Sequence, residues 1–379
     1  MDILTRRDAA CCAHPPPQKE RLMIRPKWFL MLLSLVILLV LGCGRAPENE
    51  LRIGVNAELT GSKPTVGDSC KKAMELLASQ VNATGGLKLG DKQYLVKLFV
   101  EDNEDKAESA SASAQKLISQ NNVLAIIGPN ASGNAIPAAS ICEGAGFIDD
   151  FQGQVMAKFA RDTLKVQTAA VLYDVASEYN KGIAEFFKKS FESMGGKVVA
   201  FQSYTKGDKD FSSQLTTIKA ANPGVLFLPN YYDEVPLQVK QARSLGIACP
   251  FIGSDSWGSY EILTLCGVEL DESYFSTHYA PDIATETAQK FIQTYEAKYG
   301  KKPDDVAALT YDAGKLLLAA VAQAGSLDRQ KVRDALAAVQ EFDGVTGKMQ
   351  FHGTGDPIKS AVIIHVKGCK FQYYSTVAP

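Results

Sequence analysis

A chain of 379 residues with a formal net charge of −2 carries no surplus of the kind nucleic-acid binders use. Hydrophobic residues make up 46% of it, as in ordinary globular proteins. About 330 residues follow the cysteine at position 43, enough for two domains of usual size.

The first element in chain order is a targeting segment. Met1 to Leu22, with Cys11-Cys12 and Pro15-Pro16-Pro17, fits no part of it, and Met23-Ile24-Arg25-Pro26-Lys27 would be a natural start. Arg25 and Lys27 give a basic beginning, Trp28 to Leu41 an apolar core, and Gly42 a small residue at the cut. Val40-Leu41-Gly42-Cys43 resembles a bacterial lipobox, in which the cysteine is acylated and becomes the mature N-terminus. The apolar run is shorter than the roughly 20 residues a spanning helix needs. Residues 1–42 therefore read as leader plus lipoprotein signal peptide and 43–50 as linker. Everything after Cys43 is expected outside the cytoplasmic membrane, in the periplasm or at the cell surface, held by a lipid.

From Leu51 the pattern alternates strand and helix. Leu51–Val55 is a strand by its period of two. A helix with Cys70, Ala73, Met74, Leu77 and Val81 on one face follows, stopped at Thr84-Gly85-Gly86. Next come strand Leu95–Val100, an alanine-rich helix carrying Ala110, Ala114, Leu117 and Ile118, and the apolar strand Val123–Gly128, of the kind buried in parallel sheets. A second series runs strand 169–173, a helix to Met194, strand 198–201, a helix through Leu215 and Ile218, strand 225–228, helix Val235–Leu245 and strand 251–253. Helices near 285–299, 304–323 and 328–340 precede a closing strand, 360–366. This is an α/β chain of two doubly wound, Rossmann-like lobes joined by a hinge. The expected division is 51–147 plus 280–349 for lobe 1, and 148–279 plus 350–379 for lobe 2.

One junction breaks the alternation. After strand 123–128 and a helix over 135–145, a short loop and another strand should follow. Instead Gly146-Phe147 runs on through Ile148 to Gly153, and a new helix starts near Gln154.

Cysteines past position 43 are Cys70, Cys142, Cys249, Cys266 and Cys369, an odd number. Export permits disulfides, and Cys249 and Cys266, which flank one loop, are the candidate pair. The four histidines (14, 278, 352 and 365) lack metal-ligand spacing, and Glu101 to Asp105 lacks the glycine and distal glutamate of an EF-hand loop. No nucleophile elbow, Walker loop or dinucleotide fingerprint appears. The reading is of a chain that is no enzyme and needs no cofactor or metal.

Several segments together resemble the periplasmic substrate-binding proteins of branched-chain amino acid ABC transporters, which have the type I periplasmic-binding-protein fold. They are Ile53-Gly54-Val55, Leu59-Thr60-Gly61, Val123 through Ser132, Asn230 to Glu234, Gln241 to Gly246 and Gly253-Ser254-Asp255. The resemblance spans roughly residues 51–379. It implies a monomeric clamshell that takes an amino acid between its lobes and docks on a membrane permease.

Under that resemblance Ser132, with the helix N–H groups after it, would hold the ligand carboxylate, or else simply cap the helix. Asp255 stands where the family offers an acid to the ammonium. Tyr179, Tyr231 and Tyr232 could add ring faces or hydroxyls. Val66 and Trp257 would shape the side-chain pocket, with core packing as the rival for both. In the family the gap after Gly146 holds a strand, a Ser/Thr-rich ligand loop and a second strand, and their loss would expose a strand edge. The alternatives are therefore a ligand-sensing receptor lipoprotein or a degenerate, non-binding member.

Overall fold

The computed structural model describes residues 49–142, 150–283, 285–351 and 357–378. The targeting segment with Cys43, the Gly146-Phe147 junction, His14 and His352 lie outside them. Among the described residues no helix is long and apolar enough to cross a membrane.

The first lobe is built around strand β1 (Glu50–Ala57), whose Leu51, Ile53, Val55 and Ala57 are fully buried. It pairs in parallel with β3 (Lys92–Asp102) on one side and β4 (Ala125–Ile127) on the other. The short β2 (Leu87–Leu89) adds antiparallel to β3, giving the order β2-β3-β1-β4. Helix Pro64–Ala83 begins with a proline, which needs no helical N–H partner there, and buries Cys70, Ala73, Met74 and Leu77. Helix Asp305–Ala324 packs on it at Gly314, where a Cβ would fall 2.5 Å from Leu77 Cδ2. Their shared core includes Phe291, Tyr295 and Val321 from late in the chain, so the chain returns to this lobe after building the other.

Strand β4 is shorter and less buried than its apolar run predicts. Ala125, Ile126 and Ile127 are all half-buried. Among the described residues β4 pairs with β1 alone and is the last strand of this sheet. Among those residues β4 holds the edge position that the resemblance implied for a chain without the segment after Gly146.

The second lobe holds β5 (Thr168–Asp174), β6 (Lys197–Tyr204), β7 (Val225–Phe227), β8 (Phe251–Gly253) and β9 (Ser273–Thr277), with parallel pairing throughout. After a small separate sheet of β10 (Glu341–Gly344), β11 (Gly347–Phe351) and β12 (Pro357–Ile358), the chain returns in β13 (Ala361–Val366) and β14 (Phe371–Val377). These complete a seven-stranded sheet in the order β14-β13-β9-β8-β7-β5-β6. Alternate residues of β5 feed opposite faces: Ala170 and Leu172 join one core cluster, Ala169 and Val171 the other. Phe187, Phe191 and Phe227 anchor the latter.

Cys249 and Cys266 do not form the expected disulfide; both are free thiols. Cys266 is buried at the end of helix Glu261–Cys266. Cys249 sits in the loop before β8, where Arg243 Nη1 donates to its carbonyl oxygen at 2.9 Å. Each cysteine is fixed by its own surroundings, and flanking one loop did not bring the sulfurs together.

Candidate functional site

Loops at the carboxyl ends of β4, β7 and β8 converge with four helix starts on a cavity of about 170 Å³. That is close to the roughly 150 Å³ at which an engineered cavity holds a benzene-sized molecule. The first lobe contributes Lys63, Val66, Ala131, Ser132, Asp304, Asp305 and Leu309; the second contributes Tyr179, Tyr231, Tyr232, Asp255 and Ser259. Six of the seven ligand positions read from the sequence (Val66, Ser132, Tyr179, Tyr231, Tyr232 and Asp255) thus line one cavity.

Trp257 is the exception and a correction. It is fully buried in the second-lobe core, and its Nε1–H donates to the Leu228 carbonyl at 3.1 Å. The turn Asp255–Trp257 puts the carboxylate at the cavity and the indole beneath the sheet, against Gly253. An indole with its one donor satisfied by backbone is a core residue.

Asp255 follows β8 and is held from two sides. The Tyr179 hydroxyl donates to Oδ1 and Gln152 Nε2 to Oδ2 at 2.8 Å, while the Asp255 N–H donates back to Gln152 Oε1 at 3.1 Å. Burial pushes its pKa up against these hydrogen bonds. His278 Nε2 stands 3.6 Å from Oδ2, yet burial lowers the His278 pKa to about 3. A neutral imidazole at that distance makes no ion pair, so Asp255 lacks a cationic partner there.

The two adjacent tyrosines take different parts. Tyr231 stacks on Tyr179 with ring centroids 5.2 Å apart, and Lys63 Nζ lies 4.4 Å from the Tyr231 ring centre. Tyr232 is buried, and its hydroxyl is 2.5 Å from Thr65 Oγ1 in the other lobe. Lys63 forms an ion pair with Asp105 at 2.7 Å. Burial alone would raise the Asp105 pKa, but the Lys63 charge and hydrogen bonds, with Ser62 and Lys206, hold it at about 2.

Ser132 opens helix Ser132–Cys142. The N–H groups just before it are engaged by the protein itself: Glu58, fully buried, accepts from Asn130 N at 3.2 Å and Ala131 N at 3.1 Å. Its carboxylate also takes the Asn134 side-chain amide at 3.2 Å. Sequence reading passed over Glu58, Lys63, Gln152 and Asp305. The available signals were weak: a charged residue directly after a strand for Glu58, a doubled aspartate at a helix start for Asp305, and none for Gln152.

The sequence matches the family described as periplasmic binding protein over residues 50–149 and 144–370. The two pieces meet where the strand–helix alternation breaks. A leucine-binding protein from Thermotoga maritima has the same fold with a TM-score of 0.80 and 30% identity, over 87% of this chain and 99% of its own. The branched-chain amino acid transporter substrate-binding protein of Streptococcus pneumoniae, solved with isoleucine, gives a TM-score of 0.81 at 27% identity, over 87% of this chain and all of its own (100%). A leucine-, isoleucine-, valine-, threonine- and alanine-binding protein of Pseudomonas aeruginosa is 26% identical over 334 residues, covering 81% of this chain and 87% of that one.

Proposed function

The chain belongs to the periplasmic binding protein family, and from that premise we propose that it is the solute-binding component of an ABC importer, tethered by a lipid on Cys43. It captures a branched-chain or related amino acid between its lobes and presents the closed form to a permease. Its relatives are substrate-binding proteins and not enzymes, and this chain performs no covalent chemistry.

The observation that carries the reading is Asp255. A carboxylate at the end of β8, lining a cavity of small-molecule size and held by the neutral donors Tyr179 and Gln152, is a seat for an ammonium group. Tyr179 and Tyr231 line the same cavity, Val66 and Leu309 supply apolar wall, and Ser132 stands on the side of the opposite lobe. Ligand that touches both lobes favours the closed arrangement by its differential affinity for it.

Calorimetry of the purified protein against a panel of amino acids tests this, with Asp255→Ala as control. We expect heat with aliphatic members and its loss in the variant. A folded protein that gives no heat with any ligand would sink the transport reading in favour of a non-binding member, which the open β4 edge favours. Normal binding by Asp255→Ala would refute the ammonium seat alone.

A further inference from the structure

The charge lining the cavity is one-sided. Asp255 enters from the second lobe, Asp304 and Asp305 from the first. Asp305 comes right up to the turn that carries Asp255: a Cβ on Gly258 would fall 2.3 Å from Asp305 Oδ1, so glycine at 258 is what admits that carboxylate. Burial, with the Asp255 and Asp304 charges, drives the Asp305 pKa well above the usual range. The one cation among the described residues lining the cavity is Lys63, already paired with Asp105, both side chains 5% exposed.

At the opposite end two of the donors an anion would use are already taken. Backbone N–H groups leading into a helix are the ordinary seat for a ligand carboxylate, and here those of Asn130 and Ala131 donate to Glu58. A free carboxylate brought in would be buried near several others without a charge partner, which is costly. An ammonium group would meet acids from both lobes.

We propose that the preferred ligand is a small primary amine with an aliphatic tail and no free carboxylate, such as an amino acid amide or an alkylamine. The proposal rests on the reading that this cleft takes up an amine. Asp305 is then a specificity-determining residue beside Asp255. A neutral amide keeps the attraction of both acids and avoids the repulsion a zwitterion suffers.

Four probes decide it on the purified protein by calorimetry: L-leucine, L-leucinamide, 3-methylbutylamine and 4-methylpentanoate. We expect the amide and the amine to bind at least about tenfold tighter than leucine, or about 1.4 kcal/mol, and the carboxylate to give no heat. Asp305→Asn, close to isosteric, should narrow the amide-to-leucine ratio. Leucine binding as tightly as leucinamide overturns the preference while leaving the proposed function standing. Silence from all four with a protein that melts cooperatively overturns both. An unchanged ratio in folded Asp305→Asn overturns the role of Asp305.

Discussion

A half-buried carboxylate that is held by neutral donors and faces a histidine whose pKa burial lowers retains a standing demand for a cation, and Asp255 is in that state. Glu234 shows the same physics away from the ligand cavity. It precedes helix Val235–Ser244 and shares a second cavity between the lobes with Asp174 and Lys206. Burial, then the Asp233 and Asp174 charges, raise its pKa from 4.5 to about 7. The folded chain therefore holds this proton more tightly than the unfolded one, so across that window stability falls as pH rises. We expect the melting temperature to show such a slope and Glu234→Gln to flatten it. A slope unchanged in the variant would assign it to other groups.

Packing between elements is where sequence and structure agree best. The face Cys70, Ala73, Met74 and Leu77, read from helical spacing, is the face that meets helix Asp305–Ala324. Their close approach depends on Gly314, since a Cβ there would also lie 2.9 Å from Met74 Sδ. Gly314→Leu should overpack this seam and cost about 1–3 kcal/mol, read as a lower denaturation midpoint with an unchanged slope. A midpoint unmoved would mean that Met74 and Leu77 simply swing aside. Strands were legible where apolar residues dominate, as in β5 and β7, because burial on both faces leaves that signature. Strand β9 was passed over: Ser273, Ser276 and Thr277 are polar yet buried, and pairing with β8 and β13 rather than composition makes it a strand. The candidate site was legible at loop residues after strands, where topology puts chemistry. Gln152 was invisible because its role depends on which loop it faces, and Trp257 misled because one turn sends neighbouring side chains to opposite destinations.

For the whole molecule the question is what holds the lobes together, and few polar contacts do so. Lys206 Nζ, from the loop after β6, reaches Asp105 Oδ2 of the first lobe at 3.2 Å, and Thr65 meets Tyr232. A ligand's apparent affinity scales with the fraction of protein in the binding-competent form, so a contact made only on closure contributes to affinity without touching ligand. The Lys206 side chain is 47% exposed. A pair so screened contributes at most about 1 kcal/mol, or about fivefold in that equilibrium. Asp105 is the wrong half to remove, because its loss would leave the buried Lys63 unpaired within its own lobe. Lys206→Ala isolates the term between lobes. We expect it to weaken binding by about two- to fivefold with little change in melting temperature. The wild type should also lose affinity as salt rises from ~50 to ~500 mM, and the variant much less, since the pair is screened over about a Debye length. Equal salt dependence in both proteins would remove Lys206–Asp105 as a closing contact and leave the Thr65–Tyr232 and Thr277–Asp305 hydrogen bonds, with the ligand itself, to hold the cleft shut.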